Sequence, residues 1–211
     1  MDKGLSLQDV TIMKGSTPLL SVSHDIASGE VLTVMGPSGV GKSTLLAFVT
    51  GTLAADFTAT GRVLLDGHDI TDAAPHQRRV GILFQDDLLF PHLSVGANLA
   101  FGLLAGGTAV ARHDKVQEAL REVGLEGFAD RDPATLSGGQ KARIALMRML
   151  LSEPCALLLD EPFSRLDQTL RAQVREMVFD RAKARGLPVL MVTHDAEDAQ
   201  AAGGMIITLG G

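Results

Sequence analysis

Four short apolar runs recur along the chain: Val31-Leu32-Thr33-Val34-Met35, Val80-Gly81-Ile82-Leu83-Phe84, Ala156-Leu157-Leu158-Leu159 and Val189-Leu190-Met191-Val192. Runs of this length without polar alternation are the pattern of strands buried on both faces of a parallel sheet. Between the last two, Leu170, Val174, Met177 and Val178 put an apolar stripe on a helix over about residues 167–185, which Gly186-Leu187-Pro188 ends before the next strand. Such strand-helix alternation predicts an α/β fold. The chain opens differently. Leu5, Leu7, Val10 and Ile12 suggest a strand with one exposed face, residues 22–26 its neighbour, and Lys14-Gly15-Ser16-Thr17-Pro18 the turn between them, so a peripheral antiparallel layer is expected. Asp66-Gly67 after Arg62-Val63-Leu64-Leu65 marks another turn, and residues 94–123 read as mostly helical, a helical insertion in the alternation. No internal repeat or flexible linker stands out, so one domain is expected over residues 1–211, with a helical subdomain at approximately 86–150.

With 211 residues and 45% hydrophobic content the chain can build one core. A formal net charge of -6 argues against a nucleic-acid backbone as the main ligand. The single cysteine, Cys155, excludes an intrachain disulfide, and its apolar setting reads as a small buried hydrophobe rather than a reactive thiol. Met1-Asp2-Lys3-Gly4 leads straight into the first alternating pattern, so no signal peptide is expected, and no apolar segment is long enough to span a bilayer. These features favour a cytoplasmic protein.

Chemistry enters at Gly36-Pro37-Ser38-Gly39-Val40-Gly41-Lys42-Ser43, which matches G-x-x-x-x-G-K-[ST] directly after an apolar strand and before a helical run over residues 43–50. The glycines let backbone N–H groups crowd around phosphate oxygens, and a helix N-terminus adds partial positive charge there. In such a loop Lys42 holds the β- and γ-phosphates and the Ser43 hydroxyl coordinates magnesium. The plain alternative is a glycine-rich turn with a chance lysine. The pair Asp160-Glu161 closes a buried strand, at the sheet edge where α/β folds bind ligands. Asp160 is placed for the magnesium shell, and Glu161 to polarise an attacking water as general base; alternatively both are capping acids before Pro162. Leu136-Ser137-Gly138-Gly139-Gln140 then opens a helical run over residues 141–151, a second glycine-rich helix start able to receive an anion. One nucleotide does not need two such cradles from one chain.

On these motifs the chain resembles the ATP-binding-cassette (ABC) family over almost its whole length. The resemblance implies a P-loop NTPase fold with an antiparallel β-subdomain and an inserted helical subdomain, and Mg2+ as cofactor with ATP as substrate. It places Thr44 with the phosphate loop in the nucleotide site. It makes Ser137, Gly138, Gly139 and Gln140 the signature motif, which contacts the γ-phosphate bound to the partner subunit of a homodimer. Gln85 stands where the family's Q-loop glutamine follows a strand and joins Ser43 and Asp160 around the metal; Ser164-Arg165-Leu166-Asp167 resembles the D-loop, with Asp167 its acid; and His194 resembles the switch histidine. Singly, Gln85 reads as a surface glutamine and His194 as a loop histidine; their order and spacing favour the functional reading. The stretch from Gln85 to Val95, followed by Asn98-Leu99-Ala100-Phe101-Gly102, is similar to ATPase subunits of binding-protein-dependent bacterial importers near the thiamine and ferric-iron types. The implied partners are integral-membrane permease subunits and a periplasmic or extracellular binding protein, with no nucleic acid, and the implied location is peripheral, on the inner face of the cell membrane. The resemblance implies that this stretch borders a groove that receives a short helix of the permease, and Leu88, Leu89, Phe90 and Leu93 read equally as lining that groove or as subdomain core.

The chain departs from the family pattern in three places. Lys14 stands where an aromatic residue usually stacks on adenine, with no aromatic near it along the chain and no Tyr or Trp anywhere. Arg165 replaces a small D-loop residue and reads either as a surface arginine or as a contact across the dimer. The end at Gly210-Gly211 leads to the expectation that a C-terminal regulatory domain is missing. The competing functional readings are an exporter subunit, a soluble cassette ATPase acting on nucleic acid or ribosomes, and a non-hydrolytic nucleotide-binding module. The short insertion and single cassette count against the second, and the presence of Glu161 and His194 against the third.

Overall fold

The computed structural model describes residues 4–209. Met1, Asp2, Lys3, Gly210 and Gly211, on which the expectations about a leader and about the chain's end partly rest, lie outside the described residues. The elements in order are β1 (Gly4–Lys14), β2 (Thr17–Ala27), β3 (Val31–Met35), α1 (Lys42–Thr50), β4 (Phe57–Leu65), β5 (His68–Asp69), β6 (Val80–Leu83), α2 (Val95–Gly102), α3 (Ala109–Glu122), α4 (Gly138–Leu150), β7 (Ala156–Asp160), α5 (Gln168–Ala184), β8 (Val189–Thr193), α6 (Ala196–Ala202) and β9 (Met205–Thr208).

Two sheets form. The first is antiparallel, order β2-β1-β4-β5, and the second has order β6-β7-β8-β3-β9, with β3 parallel to β8 and β9 and β7 parallel to β8. β1 shows how closely sequence spacing writes geometry. Leu5 and Leu7 are two apart, Val10 and Ile12 are two apart, but Leu7 and Val10 are three apart, and all four are buried. A strand keeps its buried side across such a slip only by bulging. The register shifts there against both neighbours, and Asp9 takes a φ of 49°. Opposite the bulge, a Cβ on Gly61 would lie 2.5 Å from the Asp9 carbonyl oxygen, so only glycine fits.

The parallel strands are buried as their unbroken apolar sequences require: every residue of β8 is buried, and all of β7 except Asp160. Their side chains share one core with Leu45, Leu46 and Val49 of α1 and the inward faces of β1, β2 and β4. Each fully buried aliphatic side chain contributes roughly 1.5–3 kcal/mol relative to exposure. Cys155 is only half-buried against this core, because it stands just before β7 where the strand meets the surface. The far end of α1 is held by Arg78, which is buried and donates to the Phe48, Val49, Ala73 and Thr71 carbonyl oxygens. A cation on the last carbonyls of a helix satisfies its free acceptors and opposes its dipole.

Several expected boundaries move. Phe84 falls outside β6 and is exposed, the insertion is broken by a loop between α2 and α3, and the run expected from residue 141 begins at Gly138 because Ser137 caps it. The apolar stretch from Met205 forms β9, whose β-sheet ladder with β3 was not anticipated. By internal packing the chain falls into two compact units: Met1–Ile82 with Cys155–Glu161 and Phe179–Gly211, and Leu83–Pro154 with Pro162–Val178. The second is the helical one. Fully buried Asn98 accepts from the Phe90 amide and donates to the carbonyls of Phe90, Leu93 and Ser94, tying the loop before α2 to that helix. Among the described residues no helix is long and apolar enough to cross a membrane.

Candidate functional site

Three strands of the parallel sheet end side by side. The ladder pairs Met35 with Thr193 and Asp160 with Val192, so the carboxyl ends of β3, β7 and β8 share one edge. Loops leaving such an edge are where parallel α/β sheets bind ligands. From β3 the chain runs through the glycine-rich loop into α1, from β7 directly into Glu161, and from β8 into His194.

Gly41 caps α1 at φ 99° and ψ 9°, a conformation disfavoured with a Cβ, and offers no side chain to the first-turn amides. These donors, at the positive end of the helix dipole, suit an anion. Lys42 is buried; its Nζ donates to the carbonyl oxygens of Gly36 at 2.7 Å and Pro37 at 3.0 Å. The same ammonium lies 3.8 Å from Glu161 Oε1, which lies 3.1 Å from His194 Nδ1. Ser43 is exposed and donates its hydroxyl to Asp160 Oδ1 at 3.0 Å, and Thr44 follows, half-buried, in the first turn. Burial pushes the Asp160 carboxyl above the ordinary carboxylate range; the Ser43 hydrogen bond and Lys42 act against this, and the charge of Glu161 adds to it. Glu161 has a φ of 47° and its amide is held by the Val192 carbonyl at 3.0 Å. A left-handed non-glycine residue costs about 1–3 kcal/mol and such strain clusters at functional sites.

A hydroxyl and a carboxylate facing each other are hard oxygen donors of the kind magnesium takes while keeping water and phosphate oxygens in the rest of its shell, so Ser43 and Asp160 fit that ion. The first unit thus brings together Lys42, Ser43, Thr44, Asp160, Glu161 and His194. Residues 36–41 of the glycine-rich loop belong to the same unit, whereas Gln85, Ser137, Gly138, Gly139, Gln140 and Asp167 belong to the second. Gln85 is exposed, two residues beyond β6. Ser137 Oγ accepts from the Gln140 amide at 3.4 Å while Gln140 Oε1 accepts from the Ser137 amide at 3.0 Å, a reciprocal capping box at the start of α4, with Gly138 exposed and Gly139 buried. Asp167 accepts from the Leu170 amide through Oδ1 at 3.1 Å, at the head of α5.

Two arrangements were invisible along the chain. Phe57 pairs with Lys14 across the β1–β4 ladder, and Lys14 Nζ lies 5.6 Å from its ring centroid. The absence of any neighbouring aromatic holds for the sequence and fails in space, because antiparallel pairing joins residues far apart in the chain. Arg165, read as either a surface arginine or a contact across the dimer, is exposed and ion-paired with Asp86. Of the four groove candidates, Leu88 is 55% exposed, whereas Leu89, Phe90 and Leu93 are half-buried; the Phe90 ring packs edge-on against Phe101 at 4.7 Å.

The family model described as ABC transporter matches residues 19–164. The chain belongs to the ABC transporter family. It is an ATP-binding subunit with ATPase activity. An ABC transporter ATP-binding protein of Escherichia coli, YnjD, is 48% identical over 198 residues, covering 93% of this chain and 91% of that protein. The thiamine import ATP-binding protein ThiQ of Salmonella choleraesuis is 43% identical over 92% of this chain and 82% of its own length. The sulfate/thiosulfate import ATP-binding protein CysA of Caulobacter vibrioides is 42% identical over 92% of this chain and 58% of its own length. The matched range takes in the glycine-rich loop, the Ser137–Gln140 segment and Glu161, and ends before His194.

Proposed function

We propose that this ABC ATPase is the nucleotide-binding subunit of an importer, working as a homodimer on the inner face of the cell membrane against separate permease subunits, with a periplasmic or extracellular binding protein delivering the cargo. The observation that carries the hydrolytic part is the gathering of Lys42, Ser43, Asp160, Glu161 and His194 at one sheet edge, with Glu161 in a strained conformation between a cation and an imidazole. All 211 residues serve as one ATPase domain. The glycine-rich loop, residues 36–43, and Thr44 cradle the phosphates of ATP, and Lys42 exchanges its two loop carbonyls for β- and γ-phosphate oxygens. Ser43 and Asp160 would hold magnesium, with Gln85 as the further ligand that the family resemblance implies, and the bound ion would neutralise phosphate charge. Glu161 takes a proton from the attacking water, whose oxygen forms a bond to the γ-phosphorus as the bond to the β–γ bridging oxygen breaks and its electron pair stays on ADP. His194 orients Glu161 and faces the γ-phosphate. Ser137, Gly138, Gly139 and Gln140 of one subunit complete the site of the other, and Asp167 lies in the D-loop at that dimer seam.

Import as the direction is supported by the names of the relatives, which include thiamine and sulfate/thiosulfate import proteins. The permease partner is supported by large apolar side chains exposed in the helical unit: Phe84, Leu88, Phe101 and Leu104 are each at least 42% exposed. Scattered exposed hydrophobics are ordinary, but these four together with exposed Val110 on one small unit are suited to a protein partner. A net charge of -6 gives no support to nucleic acid as that partner. The test has two arms. ATPase activity of the purified chain should rise faster than linearly with protein concentration, and strict linearity would count against the composite site. Affinity capture from detergent-solubilised native membranes should bring down an integral-membrane protein; recovery of only ribosomal or DNA-associated proteins would overturn the transport reading.

A further inference from the structure

Gln85 is followed immediately by two acids, Asp86 and Asp87. Arg165 Nη1 is ion-paired with Asp86 Oδ1, with both side chains more than half exposed. Burial pushes the Asp87 carboxyl up, against the charges of Lys141 and Arg148 of α4 and of Arg165, and Arg148 Nη2 donates to the Asp87 carbonyl oxygen at 3.3 Å. Arg148 continues inward to Asn98 Oδ1 at 3.2 Å and over the Phe90 ring at 5.1 Å. The two halves of this cluster differ in kind. Half-buried Arg148 and fully buried Asn98 form a hydrogen-bonded scaffold that holds the loop. The Arg165–Asp86 pair is exposed to water, contributes little to folding, and can open and close at small cost. Its two ends stand one residue after Gln85 and two residues before Asp167.

We propose that Arg165 and Asp86 form a latch within each subunit, fastening the segment that carries Asp167 to the turn that carries Gln85, so that Arg165 acts as a positioning residue for both. The latch rests on the ATPase dimer reading above, since it gives the two segments a shared position only if both serve hydrolysis. Arg165 therefore works through Asp86 of its own chain. The contact runs through Nη1 alone, so a lysine, which keeps the charge, can stand in for the arginine.

The experiment compares Arg165→Ala, Asp86→Ala, the double alanine variant, Arg165→Lys and the exchange Arg165→Asp with Asp86→Arg, all in the full chain with Mg-ATP. Each single alanine should lower kcat about 3- to 10-fold, the range of a positional coupling, with KM within about twofold and Tm within about 2 °C. The double variant should be no worse than the worse single, Arg165→Lys should keep most activity, and the exchange should recover at least half of it. Multiplying losses in the double variant, or an exchange as slow as the single variants, overturns the latch. A contact across the dimer is distinguished in a Glu161→Gln background by size-exclusion chromatography. If Arg165→Ala abolishes the ATP-dependent dimer while Asp86→Ala leaves it intact, Arg165 serves the partner instead and the latch is wrong. Linear concentration dependence of wild-type activity would sink the composite site alone, and the exchange would still decide the latch.

Discussion

Glu161→Gln isolates one charge in a crowded place. Glu161 Oε1 lies 3.8 Å from Lys42 Nζ and 3.1 Å from His194 Nδ1, and its side chain is 19% exposed against 5% for Lys42. Glutamine keeps the shape, the strained backbone and an oxygen for His194, and removes the charge and the proton acceptor. At an effective dielectric of about 20, unit charges at this separation attract by about 4 kcal/mol. Hydration of the exposed part and the two loop carbonyls on Lys42 offset most of that, so releasing Lys42 should leave ATP binding unchanged or up to about tenfold tighter. Hydrolysis should fall by roughly 10²- to 10⁴-fold, the contribution of a positioned general base. Single-turnover hydrolysis, equilibrium nucleotide binding and size-exclusion chromatography with Mg-ATP read the three quantities, and the variant should persist as a dimer on unhydrolysed ATP. Turnover near wild type, or an affinity loss as large as that of Lys42→Ala, would refute the assignment.

Lys42→Ala removes charge-assisted bonds to phosphate and should weaken ATP binding by about 100-fold or more, with no ATP-dependent dimer; retained affinity in the same binding assay would move the phosphate site elsewhere. Lys14→Tyr should tighten adenine nucleotides by about 1 kcal/mol and sharpen a weak preference for ATP over GTP; strong preference surviving Lys14→Ala would hand base recognition to another group, Phe57 first. The raised Asp160 carboxyl means the fold disfavours its ionised form, so stability is full while the group is protonated and is lost as pH rises from the ordinary carboxylate value through the raised one. Asp160→Asn should therefore melt higher than wild type without nucleotide and magnesium, by a margin that is small near pH ~4 and larger by pH ~7, while losing Mg-dependent hydrolysis; a margin that shrinks with rising pH would reverse the argument. Arg78→Ala removes a donor from four carbonyls, of which Phe48 keeps the Gly51 amide, and should cost about 3 kcal/mol, a fall of roughly 6–12 °C in Tm by calorimetry, whereas a fall under about 2 °C would mean water replaces it readily.

Much of the site was legible because its parts are local. A phosphate cradle needs a strand, a glycine-rich turn and a helix N-terminus in succession, and residues 31–50 supply them within one stretch of chain. The Ser137–Gln140 segment announced a helix start for the same reason, and the structure adds that Ser137 and Gln140 cap each other there. What stayed hidden joins distant segments: Phe57 beside Lys14, Arg165 on Asp86, and Arg78 on the end of α1. No periodicity encodes these, since an arginine or phenylalanine carries no mark of which distant atom it will meet.

By itself the sequence determined the element types and the order of the motifs. A strand buried on both faces must be apolar throughout, a phosphate loop must be glycine-rich, and a bulge must shift the apolar spacing by one, all of which are conditions on neighbouring residues. The tertiary structure alone decided which of these meet. Ser43 and Asp160 are 117 residues apart in the chain and 3.0 Å apart in space, because the sheet order sets β8 between β3 and β7 and ends all three at one edge. It likewise put Glu161 between Lys42 and His194 and held it at a left-handed φ. Such a conformation opposes the residue's own preference, so no local rule could foretell it; it persists because the surrounding core, cooperatively packed, outweighs its cost.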